Sequence, residues 1–319
     1  MSTTIPSPTP TEPPRSSIRL PRPLWIGVAT VVLVAVSVGL RIGLPMYRQQ
    51  VAIQEIERVG GKVQWISGGP DWLRQRIGNE RMKPFDEVNK VELVKTEGTD
   101  AVLKHLKKLP KLRHLNIALS DVTDAGMAHL GVLSHLETLD IHHTKITDVG
   151  LGHLRSLTNL QDLSLRWTMV TDSGLAHLAV LPKMRDLDAA NTKITDAAIP
   201  SMTRMPNLQR LSLAGTKITD AGLGRLNIAT VLWHLDLSGT AITDIGLEQL
   251  KALLTLREIS LSGTRATEAG ASDLKSSLPD LNYIKGPPSW NLRPGATGES
   301  IKTEAMIRHS RAVRRGLSH

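Results

Sequence analysis

The chain has 319 residues, enough for one large domain or two ordinary ones, and carries a formal charge of +9. That charge lies at the ends (12 Lys/Arg against 8 Asp/Glu in residues 1–94, 21 against 20 in 95–285, 6 against 2 in 286–319), so the neutral middle argues against specific nucleic-acid binding. There is no cysteine, which excludes disulfides, zinc–thiolate sites, thiol catalysis and a lipoprotein cysteine.

Residues 1–23 hold seven prolines among Ser and Thr, a composition that builds no core and predicts a disordered tail. Leu24 to Leu40 then runs without a charge. As a helix it spans about 26 Å, a little short of a roughly 30 Å hydrocarbon layer. Arg41 can snorkel, and Ile42 to Leu44 lengthen the apolar run. Trp25 and Tyr47 bracket it, where interfacial aromatics belong. Residues 24–45 are therefore expected to be a transmembrane anchor; no A-x-A site follows to suggest a cleaved signal. Arg15, Arg19 and Arg22 precede the span, against Arg41 and Arg48 after it. The margin places the N-terminus in the cytoplasm and the rest outside, in the periplasm.

Residues 46–84 read as a helix–turn–strand cap. Met46–Val59 carries Val51, Ile53, Ile56 and Val59 at helical spacing, and Gly60-Gly61 ends it. Lys62–Ile66 alternates like a strand, and GGPDW (68–72) is expected to be a turn.

From there a strict 24-residue period sets in. Thr-Asp pairs stand at 99–100, 123–124, 147–148, 171–172, 195–196, 219–220 and 243–244, and Thr267-Glu268 closes the series. Leu136, Leu139, Ile141, Thr144, Ile146, Thr147-Asp148, Gly150, Leu151, Leu154 and Leu157 show the unit in full. Its L-x-L part alternates with period two, as a strand does. Its G-L-x-x-L-x-x-L part puts leucines on one helical face. Strand then helix, repeated, predicts an α/β solenoid with a parallel sheet on the concave side and helices on the convex side. Aromatic content of 3 % suits such thin layers filled by Leu, Ile, Val and Ala. The Thr-Asp pairs fit helix N-caps, which explains their recurrence without catalysis or calcium.

This pattern resembles the leucine-rich repeat family, with Thr96, Ser120, Thr144, Thr168, Thr192, Thr216, Thr240 and Thr264 in place of the consensus Asn. Each hydroxyl can satisfy backbone groups at the turn leaving its strand. Nine strands are expected over about residues 85–286, the first through Val88, Val91 and Leu93, and the last through Leu281 and Ile284, displaced by one residue. The Thr-Asp-x-Gly-Leu subtype is similar to the membrane-anchored repeat proteins of planctomycete-type bacteria. In those, an anchor is followed by a helix, Gly-Gly, a Trp-Leu segment and a valine strand, here Gln50–Val59, Gly60-Gly61, Trp72-Leu73 and Val88–Leu93. The resemblance covers roughly residues 24–286 and implies a fold and an anchor. The same repeat type occurs in F-box-associated substrate adaptors, though no F-box-like segment precedes it here.

From Pro287-Pro288 the period stops. Residues 287–319, with Arg293, Lys302, Arg308, Arg311, Arg314 and Arg315, read as a basic, disordered tail that can touch anionic lipid.

No phosphate loop, H-E-x-x-H, G-x-S-x-G or dinucleotide fingerprint occurs, so neither a cofactor nor a metal is expected. His142-His143 would chelate poorly if both lay on a strand, since neighbours there face opposite ways. His129, His153 and His177 recur between core leucines as convex-surface residues. The concave face is more informative, because its non-leucine positions stack into columns. One column reads His114, Thr138, Asp162, Asp186, Arg210, His234, Glu258; the next reads Asn116, Asp140, Ser164, Asp188, Ser212, Asp236, Ser260; a third reads Ala118, His142, Arg166, Ala190, Ala214, Ser238, Ser262. The candidate binding residues are His114, Asn116, Asp140, His142, Asp162, Arg166, Trp167, Asp186 and Asp188. Polar groups beside an Arg and a Trp suit recognition of a protein or a cell-envelope polymer. The chain is thus expected to be a membrane-anchored binding scaffold. An adaptor of the F-box-associated type is the alternative, and a carboxylate hydrolase the less favoured one, since it needs a cleft and two carboxyls in different environments.

Overall fold

The computed structural model describes residues 22–226, 231–287 and 290. The proline-rich residues 1–21 and most of the basic tail, both expected to be disordered, lie outside the described residues. The chain divides into two units, Met1–Arg48 and Gln49–His319.

The first unit is helical. Helix α1 (Arg22–Val38) passes through a π-helical segment, Gly39–Gly43, into α2 (Leu44–Arg58). The run from Trp25 to Arg58 is long and apolar enough to cross a membrane. Trp25, Ile26, Val31 and Leu33 are each at least 60 % exposed, an apolar surface open among the described residues.

The second unit begins within α2, where Ala52, Ile53 and Ile56 are buried against the core as the amphipathic spacing requires. Gly60, at φ +82°, closes the helix by donating its N–H to the Glu57 carbonyl (2.9 Å). Strand β1 (Lys62–Ile66) follows, where alternation places it. The GGPDW segment is only half a turn: Pro70 sits ahead of the first helical residue, and α3 (Asp71–Ile77) begins at Asp71. An acidic side chain in a first helical turn is favourable, which explains the difference.

Nine further strands are β2 (Glu87–Glu92), β3 (His114–Asn116), β4 (Thr138–Asp140), β5 (Asp162–Ser164), β6 (Asp186–Asp188), β7 (Arg210–Ser212), β8 (His234–Asp236), β9 (Glu258–Ser260) and β10 (Tyr283–Lys285). They join in chain order in one ten-stranded sheet. β1 runs antiparallel to β2, and every later pair is parallel. The reversed β1 therefore covers the edge where the parallel array would otherwise end. From β3 to β9 the register advances by 24 residues per strand; β10 pairs Ile284 with Ile259, the one-residue displacement seen in the sequence.

Each short strand points one residue inward: Leu115, Leu139, Leu163, Leu187, Leu211, Leu235 and Ile259 are all buried. Helical leucines such as Leu151, Leu175, Leu223 and Leu247 meet them from the convex side. The substituted hydroxyls lie inside the turns. Thr144 donates to the Ile141 carbonyl (2.7 Å), Thr168 to Leu165 (2.6 Å), and the other six repeat the bond.

The Thr-Asp pairs divide their labour. Thr caps its own helix: the Thr147 hydroxyl accepts from Val149 N–H, and Thr171 does the same for Ser173. Asp reaches forward instead. Asp148 accepts from both the backbone N–H (2.8 Å) and the hydroxyl (2.6 Å) of Thr171 in the following repeat. Asp in the Thr-Asp pair is thus an inter-repeat clamp, a role beyond the capping its position suggests. The clamp also accounts for the glycine two residues later. A Cβ built on Gly174 would overlap Asp148 Oδ1. Ala198 fills that position in one repeat, and there the segment starts as a 3-10 turn, Asp196–Ala198.

Candidate binding face

The parallel register places the first two columns as the period requires. His114, Thr138, Asp162, Asp186, Arg210, His234 and Glu258 are successive ladder partners, as are Asn116, Asp140, Ser164, Asp188, Ser212, Asp236 and Ser260. The third column lies in the turns just past the strands. β4 ends at Asp140, so His142 and His143 are turn residues and the opposite-face rule for strands does not govern them. Among the described residues, no three or more His, Asp or Glu side chains converge as metal ligands would.

The turn column carries strain. Lys95, Leu119, His143, Trp167 and Asn191 all have φ between +56° and +59°, while Gly215, Gly239 and Gly263 occupy the same place later. Only glycine adopts this conformation at little cost. Trp167 is half exposed and stacks on His143, ring centroids 5.7 Å apart. Neither aromatic is held by the core, so this ridge of Leu119, His143 and Trp167 faces solvent at a conformational cost.

The candidate residues form one neighbourhood built from local pairs. Asp140 Oδ1 accepts from the His142 backbone N–H (3.1 Å) and lies 2.8 Å from its Nδ1. His114 Nδ1 is 2.9 Å from Thr138 Oγ1, and burial holds its pKa below the ordinary histidine value. Asn116 folds back to accept from Ala118 N–H (3.0 Å). Arg166 reaches Asp188 (3.6 Å).

Asp162 and Asp186 are ladder partners on β5 and β6. Flanking strands take part of the hydration from Asp162, although its side chain still reaches solvent, and the Asp186 carboxylate repels its charge, so its pKa rises to about 6. Asp186 and Asp188 are raised too, first by burial; Arg210 and His234 pull Asp186 back, and the Ala190 N–H and Arg166 pull back Asp188. At these three acids the loss of hydration outweighs the pull of the neighbouring cations.

Sequence reasoning left four contributors out of the candidate site. Lys90 and Glu92, paired at 2.7 Å, extend the first two columns onto β2, whose valine pattern hid the register. Arg210 pairs with Asp186 (3.4 Å), and its column position was the available signal. Trp233 lies just before β8, outside the alternating positions, with the Arg210 guanidinium 5.9 Å from its ring centroid.

A leucine-rich repeat model matches residues 108–131, 132–154, 204–226 and 230–251. Among solved structures, internalin C2 from Listeria monocytogenes superposes with a TM-score of 0.51. The alignment covers 62 % of this chain and 80 % of that one. The fold is a leucine-rich repeat solenoid. At 22 % identity the likeness to internalin C2 concerns the fold alone. No curated protein matches the chain. In this solenoid the columns above are the exposed face of the sheet, where repeat proteins offer an extended surface.

Proposed function

We propose that the chain is a membrane-anchored, non-catalytic binding scaffold of the planctomycete-type repeat class, whose concave face recognises another protein or a cell-envelope polymer. One observation carries the reading: the ladder register brings Asp140, Asp162, Asp186, Asp188 and Arg210 onto one continuous, solvent-facing neighbourhood, which Arg166 joins from the turn past β5 through its contact with Asp188. Polar columns of this kind with an exposed Trp beside them suit recognition, and an open sheet suits it better than catalysis. The exposed apolar stretch that begins the helix Trp25–Arg58 supports the anchor, and the arginine count around it supports a periplasmic repeat domain. Proximity labelling in the native cell, with the labelling enzyme fused after His319, tests partner and compartment together. Cytoplasmic labelling would reverse the orientation and favour the adaptor reading.

The raised Asp162 beside Asp186 favours one second reading, a carboxylate hydrolase, because a carboxyl held protonated above the ordinary carboxylate range can serve as a general acid. Asp162→Asn separates the two. Loss of turnover on an envelope glycan, with binding retained, would support the enzyme.

A further inference from the structure

The last three strands bound a recess away from the acidic patch. About 280 Å³ in volume, it is lined by Trp233, Arg257, Glu258, Asn282 and Tyr283. The backbone ladder fixes these residues side by side: Arg257 and Glu258 both donate their N–H groups to the Trp233 carbonyl (2.8 and 2.9 Å), and Asn282 and Tyr283 donate theirs to the Arg257 carbonyl (both 3.1 Å). Trp233 and Tyr283 thus stand two strand spacings apart, about 10 Å, with Arg257 and Glu258 between them.

The parts are held from outside. Arg210 of the preceding repeat braces the Trp233 ring, and His234 Nδ1 is 2.9 Å from Glu258 Oε2. The Asn282 amide, oriented to donate to the Asp280 and Arg257 carbonyls (2.9 and 3.2 Å), keeps its oxygen as an acceptor. The Arg257 guanidinium and the Tyr283 hydroxyl have no partner among the described residues. In a chain with two tyrosines, one of them stands here opposite a tryptophan.

We infer that this recess binds one hexopyranose ring of a polysaccharide. A pyranose has a face of C–H bonds, polarised positive, that sits against the negative face of an aromatic ring. Its rim of hydroxyls needs donors and acceptors in fixed planes. The guanidinium donates, the carboxylate and the amide oxygen accept, and the phenol does both. The recess falls just below the roughly 300–1,000 Å³ of pockets that enclose drug-sized ligands, which fits a single ring with its chain running out into solvent. An apolar ligand would leave the Arg257 guanidinium and the Tyr283 hydroxyl without a partner, and a bare anion would make no use of the two aromatic side chains. Arg257 further suits a ring substituent that accepts hydrogen bonds, either an acetamido oxygen or a carboxylate.

The test is calorimetric titration of the full-length protein with chitotetraose, which bears acetamido groups, and with trigalacturonate, which bears carboxylates. A phosphocholine detergent is used, because a glucoside or maltoside headgroup would compete. Saturable binding of either sugar below about 5 mM is expected, weakened by about tenfold or more in Trp233→Ala, a loss on the scale of one aromatic contact. Arg257→Gln and Tyr283→Phe, both at partly or fully exposed positions, should weaken it while preserving the circular dichroism spectrum, so the test survives misfolding of Trp233→Ala. Arg166→Ala should bind as wild type. No saturable binding of either sugar, or binding unchanged in Trp233→Ala and Arg257→Gln, overturns the proposal.

Discussion

Asp172 in one repeat accepts two hydrogen bonds from Thr195 in the next, one from the backbone N–H and one from the hydroxyl, both at 2.7 Å. Equivalent pairs join Asp100 to Thr123, Asp124 to Thr147, Asp196 to Thr219, Asp220 to Thr243 and Asp244 to Thr267. Since repeat arrays derive stability from nearest-neighbour interfaces, these clamps belong to the coupling between repeats rather than to single helices. Asp172→Ala leaves a backbone donor and a hydroxyl without their charged acceptor and should cost about 1–3 kcal/mol. Leu163→Ala, which removes a buried strand leucine, should cost about 2–5 kcal/mol. A double-mutant cycle of Asp172→Ala with Thr195→Val in chemical denaturation should show coupling of at least about 0.5 kcal/mol. Additive losses would mean that the two residues do not act as a unit.

The clamp predicts what a methyl group costs at the helical glycine. Gly174→Ala forces a methyl group onto Asp148 Oδ1 and should destabilise by about 1–3 kcal/mol, the range for overpacking. Asp148→Ala in the same chain removes the obstacle, so the double variant should lose less than the sum of the two single losses. A loss at Gly174 that Asp148→Ala leaves untouched would point to helix backbone strain instead.

Much of this was legible because the period is strict. Strand spacing, buried leucines, hydroxyl turns and concave columns all follow from 24-residue self-similarity, and the ladder pairs Leu139 with Leu163 as that period demands. The forward reach of Asp was not legible, since a Thr-Asp pair at a helix start reads equally well as a local cap. Nor was the positive φ of Leu119, His143 and Trp167 visible, although glycine at 215, 239 and 263 marked the same place. The recess escaped because Trp233 and Arg257 sit just before their strands, outside the columns, and the last step of 25 residues displaces Tyr283.

That left-handed column gives a third expectation. Leu119→Gly removes a strained, partly exposed side chain and should raise stability by about 0.5–1.5 kcal/mol, whereas Gly239→Ala introduces the strain and should lower it by a similar amount. The space around Gly239 admits a methyl group at ordinary contact distance, so the loss there would report conformation and not collision. Thermal unfolding of the two variants reads both signs.

The raised pKa of Asp162 has a sign that can be worked out. Its folded value, about 6, exceeds the ordinary carboxylate value of 3.8, so its contribution to stability is full at low pH and is lost as pH rises through 6. At pH 7.5 the folded protein holds an ionised Asp162 beside Asp186 at a cost. Asp162→Asn should therefore stabilise at pH 7.5 by about 0.5–1 kcal/mol, allowing for solvent screening at an exposed position. Most of that gain should vanish at pH 4.5. Urea titrations at both pH values decide it, and a gain independent of pH would assign the effect to something other than ionisation.

The same acidic surplus sets the expectation for binding. Arg166 is about half exposed and touches only the rim of the acid, at 3.6 Å from Asp188, so its removal leaves the sheet intact. If the concave face is the footprint, Arg166→Ala should weaken partner binding by about 1 kcal/mol or more, as truncation of an interface anchor does. Changing Asp162, Asp186 and Asp188 together to Asn should act differently. Charges of this kind steer encounter, so the triple variant should mainly slow association and flatten its dependence on salt. Arg210 complicates the triple variant, because its carboxylate partner Asp186 is neutralised; Asp162→Asn with Asp188→Asn alone leaves that pair in place. The control is Glu248→Ala on the convex side, where an exposed pair with Lys251 at 2.6 Å contributes little. Association and dissociation rates for the partner found by labelling, measured on variants matched for stability at two salt concentrations, separate steering from contact. Unchanged rates for Arg166→Ala and for the acid-to-Asn variants would make these columns an ordinary solvated sheet surface and move the binding site elsewhere on the solenoid.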